Sequence, residues 1–127
     1  MFLRRALAAG VVLAALAIWS PRLAGAHALA LESSPRADDV LRAAPARIFL
    51  RFNSRIEQGL SGITVTGPGG RPVPLPVARV APDGAPNELS APVPPLPPGP
   101  YLVRWKVLSA DGHVTQGAFR FTVAPGP

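Results

Sequence analysis

Past residue 27 the chain alternates apolar and polar positions with a period of two. In "RIFLRF" (47–52), Ile48, Leu50 and Phe52 share one face, and Arg47, Phe49 and Arg51 share the other. "YLVRWKV" (101–107) sets Tyr101, Val103, Trp105 and Val107 against Leu102, Arg104 and Lys106. "AFRFTV" (118–123) aligns Phe119, Phe121 and Val123. Such alternation is the mark of a half-buried strand. "HALALESS" and "LSGITVTG" predict two more strands, and "PVPLPVAR" can serve only as an edge strand, because proline cannot donate to a ladder.

Turn clusters separate these runs: "GPGGRP", "APDGAPN" and "VPPLPPGP". Only "RADDVLRAAP" has helical character, enough for a single turn. Short strands punctuated by Pro and Gly predict an all-β fold, a small antiparallel Greek-key barrel or sandwich of the immunoglobulin-like kind with about seven strands. Phe52, Trp105, Phe119 and Phe121 are its expected core aromatics, and Arg47, Arg51, Arg104 and Lys106 its solvated face. There is no internal repeat and no sign of a second domain.

The first 26 residues follow a different rule. "MFLRR" is a basic start, "ALAAGVVLAALAIW" an apolar run, and Ala24-Gly25-Ala26 a small-residue cleavage site, the parts of an export signal. The apolar run is shorter than the ~20 residues a spanning helix needs. The expected organisation is therefore a cleaved signal over 1–26, one β domain over 27–124, and a frayed end over 125–127. The expected product is exported from the cytoplasm.

Processing changes the charge. Arg4, Arg5 and Arg22 leave with the signal, so 13 basic residues become ten against seven acidic ones, and +6 becomes +3. The excess is scattered, without the basic and aromatic clustering that nucleic acid requires. There is no cysteine, so stability depends on the core or on a ligand of the folded state.

Cleavage after Ala26 also makes His27 the first residue. Its α-amine and imidazole Nδ1 can close a chelate ring on one metal ion. The only other histidine is His113, in "SADGH" (109–113), two residues after Asp111. Alternation would put Asp111 and His113 on one side of an extended segment, with Gly112 allowing close backbone approach. Three nitrogens and one oxygen suit tetragonal Cu(II). On residues alone, the competing reading of "ADGH" as a plain turn stays open. Other chemistries lack their parts: no nucleophile elbow accompanies Ser109, no phosphate loop opens a helix, and structural zinc would want more side-chain ligands.

"HALALESSP", "VLRAAPARIFLRF" and "GPYLVRWKVLSADGHVTQGAFRFTV", in this order, resemble the CopC family of periplasmic copper-resistance and copper-binding proteins. The resemblance implies a Greek-key β-barrel and one Cu(II) per chain, with His27, Asp111 and His113 as metal residues. It implies a carrier or buffer for copper resistance or import, not an enzyme. That carrier would act as a monomer, binding no nucleic acid and passing copper to a CopD-type inner-membrane importer. Two departures matter. Some members bind Cu(I) through a Met/His-rich loop, whereas the only methionine here is Met1, so no Cu(I) site is expected. Members also often carry a glutamate two residues past the strand phenylalanine, where "FNSRIE" has Ser54, and Glu57 follows at a later position. The alternatives are a histidine-brace copper monooxygenase and a metal-free adhesive sandwich domain.

Overall fold

The computed structural model describes residues 28–76 and 84–126. Eight strands occur among them: β1 (Ala30–Ser34), β2 (Val40–Leu41), β3 (Arg47–Phe52), β4 (Gly62–Thr66), β5 (Pro72–Val73), β6 (Glu88–Pro92), β7 (Gly99–Leu108) and β8 (Val114–Val123). They form two sheets, one ordered β1-β3-β6 and the other β2-β8-β7-β4-β5. The all-β sandwich read from the alternation is the fold observed.

The alternation sorts inside from outside. Ile48, Leu50 and Phe52 of the small sheet are buried against Ile63, Val65, Tyr101, Val103, Val107, Phe121 and Val123 of the large one. Tyr101 and Phe121 stack at 5.3 Å across the β7–β8 ladder, where they are direct partners. The buried Tyr101 hydroxyl donates to the Pro97 carbonyl, so the apolar interior leaves no stranded phenol. Arg104 and Lys106 lie on the exposed outer face, as expected.

Trp105 and Phe119 are half-buried and pack against the core from its margin. Trp105 meets Phe52 edge-on at 5.2 Å. Its indole lies over Gly117, its ladder partner on β8, and a Cβ there would come within 2.4 Å of the ring. Only a glycine leaves room for that indole.

Two segments depart from expectation. "RADDVLRAAP" forms no helical turn. Val40 and Leu41 instead pair in parallel with Thr122 and Val123, and Thr122 and Ala124 donate backbone hydrogen bonds to Asp39 and Leu41. Asp38 sits at φ +67°, which breaks a helical turn, and the open edge of β8 supplies the partners a helix would have supplied. The second departure is β6, "ELSAP", which the proline clusters around it hide. It pairs with β3 and buries Leu89, Ser90 and Ala91 in succession, without alternation. The proline-rich edge strand is realised as the two-residue β5, paired to β4 at the margin of the large sheet. The rest of "PVPLPVAR", from Val77 on, lies outside the described residues.

Candidate metal centre

β7 and β8 form the longest ladder of the fold, closing at the Leu108–Val114 pair. The five residues between them, Ser109 to His113, make the hairpin loop. Ser109 N–H donates to the His113 carbonyl at 2.8 Å, and Gly112 N–H donates to the Ser109 carbonyl at 2.9 Å. Gly112 has φ +89°, a left-handed conformation that glycine adopts without strain. The backbone here is a tight turn and not the extended segment expected. Gly112 folds the chain so that the side chains on either side of it meet.

They meet closely. Asp111 Oδ2 lies 3.2 Å from His113 Nδ1. Metal–donor bonds of about 2.0–2.2 Å set at right angles place neighbouring donors about 3 Å apart, so the pair has the separation of two adjacent ligands on one ion. The side chains remain accessible, 36% exposed for Asp111 and 58% for His113. Asp111 Oδ1 is held from the other side, by the Ser109 hydroxyl and by His113 N–H at 3.3 Å. The Ser109 hydrogen bond, with smaller contributions from the His113 backbone and ring, holds the Asp111 carboxyl below the usual carboxylate range, against an opposing desolvation. The oxygen therefore stays anionic and available as a hard donor.

Residues 53–57 connect this loop to the start of the domain. Ala110 N–H donates to the Arg55 carbonyl, Glu57 N–H donates to the Leu108 carbonyl, and Ile56 bridges Ser109. Two residues earlier, Asn53 N–H donates to the Leu29 carbonyl, while Leu29 N–H donates to Asn53 Oδ1 at 2.7 Å. Ala28, next in the chain, is fully buried. One short stretch thus holds both the Asp-Gly-His loop and the first described residues.

Of the three residues singled out by sequence, Asp111 and His113 are brought together, and His27 lies outside the described residues. Among the described residues, no group of three or more His, Cys, Asp or Glu side chains converges. Ser54 is half-buried with no hydrogen-bond partner for its hydroxyl among the described residues, and Glu57 is exposed. Sequence reasoning passed over Ser109 and Asn53. Ser109 stands two residues before an aspartate, which is a signal for a local side-chain hydrogen bond. Asn53 gave no such signal, because its partner is 24 residues away.

Residues 30–124 match the family model described as the CopC domain. The chain is 39% identical over 104 residues to copper resistance protein C of Escherichia coli, covering 77% of this chain and 82% of that one. The crystal structure of CopC from Methylosinus trichosporium OB3b superposes with a TM-score of 0.73 at 36% identity, covering 80% of this chain and 97% of that one. The structure of PcoC, a methionine-rich copper resistance protein from Escherichia coli, gives a TM-score of 0.66 at 34% identity over 76% of this chain and 98% of that one.

Proposed function

This chain belongs to the CopC family, and from that premise we propose that it is an exported periplasmic carrier that binds one Cu(II) ion and passes it on. The observation that carries the reading is the Asp111–His113 pair, two donors 3.2 Å apart on an accessible hairpin loop. A carboxylate and one imidazole are too few to hold Cu(II) tightly. Two further nitrogens, the amine and imidazole of a processed His27, would complete a tetragonal set. The support for that third residue is the tether at 53–57, which fastens both the loop and Leu29, two residues after His27, to one end of the sandwich.

The donor chemistry favours the oxidised ion. With no cysteine, and no methionine after Met1, a processed chain offers none of the soft ligands that Cu(I) prefers. This sets it apart from its methionine-rich relative. The accessibility of the loop suits transfer better than permanent storage, since a partner can reach the ion without unfolding the domain. A membrane importer of the CopD type is the recipient proposed.

Asp111 also weighs against oxygen activation. A carboxylate beside the imidazole takes a coordination position that a histidine-brace monooxygenase leaves to oxygen. An intact mass of the exported protein, with and without Cu(II), tests the reading directly. A chain beginning at His27 and gaining one copper supports it. A chain beginning elsewhere, or gaining none, contradicts it.

A further inference from the structure

Ser109 is 1% exposed, and it sits where the rigid sandwich gives way to the loop. Its backbone is fixed twice, by the bridge to Ile56 and by the 2.8 Å bond from its N–H to the His113 carbonyl. Its hydroxyl faces two acceptors, Asp111 Oδ1 and the His113 carbonyl at 3.0 Å. A hydroxyl has one proton to give. The His113 carbonyl is already satisfied by the Ser109 N–H, so the proton goes to the carboxylate, which accepts it more strongly.

The two oxygens of Asp111 are therefore not equivalent. Oδ1 takes the Ser109 hydroxyl and the His113 N–H, while Oδ2 is turned to the His113 ring. We propose that Ser109 is a positioning residue for the copper site: by holding Oδ1 it makes Oδ2 the single donor oxygen and fixes that oxygen beside the His113 imidazole. This rests on the reading that Asp111 and His113 bind Cu(II). Without the hydroxyl, Oδ1 keeps only the long 3.3 Å bond from the His113 N–H, and the carboxylate of this exposed loop residue gains freedom to rotate about its side-chain bonds. The ordering that the folded loop now provides in advance would then fall on the binding step.

Residues that orient a metal ligand by hydrogen bonding typically contribute 10- to 100-fold to affinity. The test is competition titration of Cu(II), with electron paramagnetic resonance of the copper-loaded protein, on the processed chain and on Ser109→Ala, Ser109→Thr, Ser109→Val, Asp111→Asn and His113→Ala. Ser109→Ala is expected to weaken Cu(II) binding about 10-fold or more and to alter the copper hyperfine splitting. Thr and Val have the same shape and differ by the hydroxyl, so their comparison remains decisive even if alanine unfolds the loop. Ser109→Thr is expected to keep most of the affinity and the native spectrum, and Ser109→Val to lose both. Equal affinities and spectra for Thr and Val overturn the inference, provided that His113→Ala and Asp111→Asn are weakened. If those two variants bind as tightly as the unmodified chain, the failure lies in the site itself.

Discussion

Leu29 and Asn53 clasp each other. The Leu29 N–H donates to the Asn53 side chain, and the Asn53 N–H donates to the Leu29 carbonyl. This reciprocal pair lies before the bulge in the β1–β3 ladder and fixes the chain two residues after His27. Asn53→Ala removes the side-chain half of the clasp and leaves Leu29 N–H without that acceptor. The expected cost is about 1 kcal/mol of stability, the usual net worth of one hydrogen bond, measured by urea unfolding. If the clasp also holds the start of the chain near the loop, Cu(II) affinity falls as well. Unchanged affinity in Asn53→Ala would show that placement of the N-terminus does not depend on Asn53.

Gly117→Ala tests the packing of the sandwich margin. A Cβ 2.4 Å from the Trp105 ring must displace the indole or the β8 backbone, and overpacking of this kind typically costs about 1–3 kcal/mol. Trp105 is the only tryptophan left once Trp19 departs with a cleaved signal, so its fluorescence reports the displacement directly. An unshifted emission spectrum with unchanged stability would contradict the contact.

The lowered proton affinity of Asp111 has a consequence for the copper-free protein. A carboxyl held below its ordinary value near 3.9 binds fewer protons folded than unfolded. Its contribution to stability is present above that value and is lost as pH falls through the lowered one. The stability difference between the unmodified chain and Asp111→Asn should be present at about pH 5 and close as the pH falls below about 4. Unfolding curves across this range measure it. A gap that persists undiminished at pH 2 would mean that ionisation of Asp111 is not its source.

The copper oxidation state is checked by competition with a Cu(I) chelator. Lacking soft ligands, the processed chain should leave nearly all reduced copper with the chelator while retaining Cu(II) against a comparable competitor. Stoichiometric retention of Cu(I) would require ligands beyond those named.

What could be read in the sequence divides along physical lines. Strands β3, β4, β7 and β8 bury one face each, and a period of two records that directly. β6 buries three consecutive residues, and β2 exists because the edge of β8 needs partners, so neither leaves a periodic trace. Trp105 was legible as an inward residue, but not as one resting at the margin over Gly117, because that depends on which strand lies beside it. At the loop, Asp111 and His113 stood out by residue type and spacing. The left-handed Gly112 that folds them together, and the Ser109 hydroxyl that holds one oxygen, arise from the closing of the turn. Asn53 is the extreme case: its role comes from a contact between distant parts of the chain, and nothing near it in sequence announces one.

The central claim is that Cu(II) is held between His27 at the start of the processed chain and Asp111 with His113 at the hairpin. The most direct measurement is the Cu(II) dissociation constant, by competition titration, of the chain beginning at His27 and of the same chain with only its α-amine acetylated. Acetylation turns the α-amine of His27 into an amide, supplies no new amine and removes the amine–imidazole chelate ring, while leaving Asp111, His113 and the fold unchanged. At least a tenfold loss of affinity (about 1.4 kcal/mol) is expected. Equal dissociation constants for the two chains would contradict the claim.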